Sequence, residues 1–186
     1  MSEKSSTARS SYSRGAIWLH WIIALVIIGQ FLGMQYDETL AETDPARGTI
    51  YMLHKSFGLT ILFLTLVRLI IRLRQGFLPL PPHMAGWEVM LARVTHFGFY
   101  ALLLLMPLTG WIFGVSAKRG LDYFGLVPVP VLPLEGLAEL AHELHEYGAW
   151  AFVILFILHV AGALKHHYLD RDDVATRMIP MLKRRS

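Results

Sequence analysis

His145 and His159 stand fourteen residues apart in the sequence. On an α-helix that spacing is close to four full turns, so both imidazoles share one face. The rise between them is about 21 Å, most of the roughly 30 Å hydrocarbon core of a bilayer. Two imidazoles on one face, one near each side of a membrane, suit the holding of two stacked redox centres. The chain has nine histidines and no cysteine. Without thiols, disulfides, thiolate zinc sites, cysteine-held iron–sulfur clusters and covalent c-type haem attachment are all excluded. Imidazole is then the obvious soft ligand, and any haem must be held non-covalently.

These residues need rigid elements to position them. The chain has 186 residues, 54% of them hydrophobic, and a mean hydropathy of +0.46, too apolar for a soluble domain. Four long apolar runs are visible: Ala16 to Met34, Ile50 to Ile71, Phe97 to Val115 and Tyr147 to Leu164. Each is about long enough to span a bilayer, and a span must be helical because no water satisfies its backbone. The fold expected is an all-α membrane protein, a bundle of four transmembrane helices with both termini cytoplasmic. Residues 1–15 read as a polar tail, 16–170 as one transmembrane domain holding two haems, and 171–186 as a basic C-terminal tail. The first run lacks a small-residue cleavage pattern and reads as a retained anchor.

Orientation comes from the loops. Lys4, Arg9 and Arg14 precede the first span; Arg68, Arg72, Arg74 and Arg93 flank the second loop; Lys165, Arg171, Arg177, Lys183, Arg184 and Arg185 follow the fourth span. The first loop is acidic, with Asp37, Glu38, Glu42 and Asp44 against Arg47. The positive-inside rule puts the tails and the second loop in the cytoplasm. The basic faces are a topology signal, and no nucleic-acid partner is expected. Val127 to Pro133, with alternating prolines, cannot be helical and belongs at the outer surface. Gly136 to Glu146 reads as the wet start of the fourth helix or as a separate surface helix. Pro107 predicts a kink in the third span.

Depth restricts which histidines can meet. His20 and His159 lie toward the cytoplasmic side; His54 and His145 lie toward the outer side. Two pairs at two levels fit two haem b groups with bis-histidine axial ligation, built from facing side chains in a bundle core. Ionisable residues inside spans are costly and usually functional. His96 competes with His20 by depth, with a hydrogen bond to a propionate or a quinone headgroup as its expected role. His142 reads as a solvated outer residue, and His83, His166 and His167 as interfacial polar groups. Arg68 and Arg72 serve the positive-inside anchor, propionate pairing, or both. Gly29, Gly33, Gly58, Gly98, Gly110, Gly114, Gly148 and Gly162 either admit close helix packing or clear room for a flat macrocycle. Trp18, Trp21, Trp111 and Trp150 fit an aromatic belt.

The ordered motifs resemble the prokaryotic cytochrome b561 family, four-helix di-haem quinone-linked proteins of bacterial inner membranes. They are Leu19-His20-Trp21, Leu53-His54-Lys55-Ser56-Phe57-Gly58 and Val67-Arg68-Leu69-Ile70-Ile71-Arg72-Leu73. His96 with Tyr100, Pro107 and Gly110 follow, then His145-Glu146, Leu158-His159-Val160-Ala161 and Lys165-His166-His167-Tyr168. The resemblance covers about Ser13 to Arg185. It implies that His20, His54, His145 and His159 are the axial ligands, in agreement with the depth argument. Some members are described as superoxide oxidases that pass electrons to ubiquinone, so the resemblance implies superoxide and the quinone pool as partners. Arg119 is the expected guide for superoxide on the outer face. The alternative is a haem subunit that relays electrons between quinol and a partner dehydrogenase, hydrogenase or cytochrome without catalysis of its own. A proton-coupled transporter using a histidine relay would want carboxylates in the centres of its spans, and there are none.

Overall fold

The computed structural model describes residues 11–116, 121–130 and 132–182. The first helix, α1 (Arg14–Glu38), opens at Ser13, whose side-chain oxygen accepts a hydrogen bond from Ala16 N at 3.3 Å. That bond satisfies one of the free donors of the first turn. Asp44 does the same for the second helix, α2 (Ala46–Gln75), accepting from Ala46 N at 2.8 Å. It ends at Gly76, where φ is +74°, a value that favours glycine. The third helix, α3 (Gly86–Ser116), begins well before its apolar run. Glu88 starts it, accepting from Ala85 N at 2.9 Å. Helix α3 continues without a break through Pro107.

A short antiparallel hairpin follows, β1 (Leu121–Tyr123) with β2 (Val127–Val129). The first half of the proline-alternating stretch is thus a strand rather than a helix, as its composition requires. The turn uses Phe124 and Gly125 at φ +52° and +71°. A single 3₁₀ turn (Glu135–Leu137) leads directly into α4 (Ala138–Lys165). Of the two readings of Gly136 to Glu146, the wet start of the fourth helix is the one observed. A wider π-helical turn (His166–Asp170) ends α4, and two 3₁₀ turns (Ala175–Arg177 and Pro180–Leu182) fold the remaining chain back on the bundle. Trp21 Nε1 donates to Met178 O at 2.9 Å, and Arg177 donates to Pro79 O at 2.7 Å.

Helix α1 packs on α2, α2 on α3 and α3 on α4, with much less packing between α1 and α4. The deepest apolar cluster is Ile23, Ile61 and Leu103, flanked by Val26, Ile27, Leu64 and Phe152. All four helices contribute to this mid-depth layer. In α4 it lies at Phe152, midway between His145 and His159, so it separates two levels of the interior. All four helices are long and apolar enough to cross a membrane. Only 6% of the most apolar window of α1, α3 and α4 is buried within the protein. Faces so apolar and so uncovered need lipid as their solvent. The protein is a four-span all-α membrane bundle, with the small hairpin at one end and both ends of the described chain at the other.

Candidate functional site

At the hairpin end, His54 from α2 and His145 from α4 face each other, with ring centres 6.0 Å apart and planes at 77°. At the terminal end, His20 from α1 and His159 from α4 do the same, at 6.1 Å and 65°. Depth alone pairs the same residues, because helical rise converts sequence position into height. An imidazole nitrogen bonds a transition metal at about 2.0 Å, so one metal clasped between two rings sets their centres about 6 Å apart. Both pairs have that separation, and all four rings are half-buried.

The tautomer of His145 is set locally. Its Nδ1 lies 2.9 Å from Met106 O and 3.2 Å from Thr109 Oγ1. A carbonyl only accepts, so Nδ1 carries the proton and Nε2 keeps a free lone pair for a metal. Carbonyl support of this kind orients ligand histidines in metal sites. Gly110 lets α3 come this close. A Cβ there would stand 3.1 Å from His145 Cε1. His54 differs: its Nδ1 is buried without a hydrogen-bond partner among the described residues. Such orphans are rare in an interior.

A cavity of about 260 Å³ opens beside His54, lined by Val26, Gly29, Gln30 and Gly33 of α1 with Ile50, Leu53 and Phe57 of α2. Nothing lies within 4 Å of a Cβ built at Gly29 or Gly33. These glycines, one turn apart, leave an apolar slot beside the imidazole, which is what a flat macrocycle requires. Gly98 and Gly148 answer to the other reading. Added Cβ atoms would meet the side-chain tips of Leu155 at 2.7 Å and Met106 at 2.5 Å, so these glycines lie in the α3–α4 contact.

The terminal-end level is more crowded. His96 stands 5.5 Å and Phe99 5.4 Å from the His159 ring, and Trp21 lies 5.4 Å from His20. His96 Nδ1 is 2.6 Å from Ala92 O, which puts the proton of the neutral ring on Nδ1 and leaves Nε2 as an acceptor. Arg68 donates to Ala16 O at 2.7 Å, and Arg72 donates to Tyr12 Oη at 2.7 Å while stacking on Tyr12 and Phe77. Both arginines therefore tie α2 to the start of α1 and hold positive charge beside the His20 level.

Arg119 and Lys118 lie outside the described residues. His142 is exposed and touches Phe113, at 5.1 Å between ring centres. Trp21 and Trp111 act as struts; the second donates to Pro130 O at 3.1 Å. Sequence reasoning passed over Ser56, which is fully buried. Its hydroxyl accepts from Phe124 N and donates to Met52 O, both at 2.8 Å, pinning the hairpin above the His54 level. It also passed over His166 as a mere interfacial group. His166 is buried and held by Asp170 and Asp172. The first had a signal in its motif beside His54; the second is visible only once the chain folds back.

A family profile described as "Prokaryotic cytochrome b561" matches residues 11–181. Among curated proteins, the chain is similar to "Cytochrome b561 homolog 2" of Escherichia coli strain K12. The two are 29% identical over 165 residues, covering 86% of this chain and 86% of that one. It is likewise similar to "Cytochrome b561 homolog 1" of the same strain, 28% identical with 92% and 98% covered. The protein named "Probable superoxide oxidase CybB" of Yersinia pestis is 29% identical with 91% and 96% covered. With four apolar helices, two levels of paired imidazole and a profile match over nearly its whole length, the chain belongs to the prokaryotic cytochrome b561 family, multi-pass bacterial membrane proteins that bind haem b and carry electrons.

Proposed function

We propose that the chain holds two haem b groups, one between His20 and His159 and one between His54 and His145. We propose further that it oxidises superoxide to dioxygen, with ubiquinone as electron acceptor. The observation that carries the two-haem reading is the pair of imidazole couples, each with ring centres about 6 Å apart and separated in depth by about 21 Å along α4. The superoxide reading draws on the name of the Yersinia pestis relative.

Haem b held in this way supplies one-electron transfer. The chain's own residues set its conditions. His20 with His159 and His54 with His145 would each hold such a group between two imidazoles, leaving no ligand position for substrate, so donor and acceptor would approach from the side. The apolar layer of Ile23, Ile61, Leu103 and Phe152 keeps water out between the levels. Arg68 and Arg72 provide cationic partners for acidic groups at the His20 level. His96, with its Nδ1 proton committed to Ala92 O, offers Nε2 as an acceptor, which suits a quinol hydroxyl rather than an ionised propionate or a quinone carbonyl. The lightly packed α1–α4 seam suits sideways access by ubiquinone from lipid.

Superoxide is a small anion, and a cationic approach raises its capture rate. On the hairpin side Arg47 is engaged, with Nη2 2.9 Å from the buried Asp37 carboxylate. Of Lys118 and Arg119, the other cations on that side, Arg119 is the residue proposed to steer superoxide. The basic tails and second loop support, by the positive-inside rule, a reading with both termini cytoplasmic, the hairpin end periplasmic and the chain in the bacterial inner membrane.

The deciding experiment is a pyridine haemochrome count with oxidised and dithionite-reduced spectra of the purified protein. Two low-spin b haems per chain are expected. Addition of superoxide and a ubiquinone analogue should then give quinone reduction without another protein. A pigmented protein inert to superoxide would instead be a relay between quinol and a partner dehydrogenase or cytochrome.

A further inference from the structure

At the terminal end, away from the paired imidazoles, a second set of ligating side chains converges. His166 and Asp170 come from the π-helical turn after α4, Asp172 from the residues just beyond, and His83 from the α2–α3 loop. His166 Nδ1 lies 2.7 Å from Asp172 Oδ2 and 3.2 Å from Asp170 Oδ2. His83 Nε2 lies 3.3 Å from the same Asp172 oxygen. Ligand atoms of His166, Asp170 and Asp172 all fall within 4.8 Å of one another. The side chains of His166 and Asp172 are only 10% and 8% exposed.

The backbone is shaped to bring them together. The π-helical turn widens the end of α4, and Arg171 then adopts a left-handed conformation, φ +55°. This reversal lets Asp172 N donate to His166 O at 3.1 Å and turns the Asp172 carboxylate back onto the imidazole. Both features are uncommon for non-glycine chain and cluster at functional places.

Charge points the same way. Lys165 Nζ meets Glu88 at 2.7 Å and Asp170 at 2.6 Å. Among the described residues it is the one lysine or arginine paired within a group that also holds the Asp172 carboxylate, since Arg177 is committed to Asp173 and Pro79 O. The carboxylates of Glu88, Asp170 and Asp172 thus gather around one lysine. A divalent cation would balance them.

We propose that His83, His166, Asp170 and Asp172 form a binding site for a divalent first-row transition metal, with Zn²⁺ the best match. Two imidazoles and two carboxylates are donors that zinc accepts. Bonds of about 2.0–2.1 Å place tetrahedral ligands about 3.3 Å apart. The His83–Asp172 and His166–Asp170 separations, 3.3 and 3.2 Å, already have that length. The 2.7 Å His166–Asp172 contact must widen, and His83, which touches only Asp172 and stands outside the 4.8 Å group of the other three, must swing in. The site's work is structural. It fastens the α2–α3 loop to the chain that follows α4, beside the Arg177 and Trp21 contacts that hold the same segment. It is independent of the haem assignment and of the reaction.

The test uses the full-length, tag-free holoprotein, stripped with EDTA and equilibrated with Zn²⁺. Zinc is counted by mass spectrometry, and its ligands are read by X-ray absorption at the zinc edge, where haem iron does not interfere. One zinc per chain is expected, in a shell of four nitrogen or oxygen atoms with imidazole scattering. His83→Ala and Asp172→Asn should each weaken retention at least tenfold. His83 is more than half exposed, so its variant should keep an unchanged haem spectrum, which reports the fold. Absence of stoichiometric zinc in the wild type, meaning an ion-pair network only, overturns the proposal. So does zinc held with undiminished affinity in either variant, or a zinc shell without imidazole.

Discussion

A histidine that clasps a metal and one that merely lines a helix interface differ in what their removal does. His159→Ala is expected to cut haem content to about one per chain, with the remaining haem titrating as a single low-spin species. Spectroelectrochemistry on matched protein amounts checks this, and full pigment with an unaltered two-step titration would refute the ligand assignment. Arg119→Ala should slow superoxide-driven quinone reduction several-fold at low salt. The difference should shrink as salt rises, because steering acts through a screened field. An unchanged rate at low salt removes Arg119 from the reaction. At this scale the sequence was most informative where height alone decides contact: His20 met His159 and His54 met His145 because helical rise assigns each a depth. It was least informative for His166. Its partner Asp172 is shared with His83, 89 positions before that aspartate, and no local periodicity encodes a loop folding onto a helix end.

At the scale of elements, small residues carry the argument. Gly29 and Gly33 face a slot beside His54, whereas Gly98 and Gly148 sit under neighbouring side chains. Gly33→Leu should therefore fill the slot and selectively lower haem occupancy at the His54–His145 level, leaving the other haem's spectrum intact. Equal loss of both haems would mean a general packing defect. The hairpin has its own anchor in Ser56. Ser56→Ala leaves the Phe124 N–H without its acceptor and should cost about 1 kcal/mol of local stability. Faster hydrogen exchange at 121–129, with haem content unchanged, is the expected sign. Helix spans were readable from hydropathy because lipid demands long apolar helices. The early start of α3 was not, because Trp87 to Arg93 is held by the Glu88 cap and the Lys165 pair rather than by lipid. The β-hairpin likewise had only its prolines to announce that it was not helical.

For the molecule as a whole, orientation is the open physical variable. A C-terminal fusion to green fluorescent protein should fluoresce, and one to alkaline phosphatase should stay inactive, if the basic tails face the cytoplasm. The reverse pattern would invert the proposed sides of superoxide capture. What the amino-acid sequence determined by itself was whatever depends on distance along one chain: four apolar spans, the absence of thiol chemistry, the height of each imidazole and the bias of charge between loops. The tertiary structure decided whatever depends on rotation about helix axes and on the paths of loops. It set which glycines make space and which make contact, and the carbonyl that fixes the His145 tautomer. It also brought His83, His166, Asp170 and Asp172 together. Rise per residue is a constant of the helix, so depth can be counted; azimuth and loop closure come from the packing of many side chains at once, and no count along the chain supplies them.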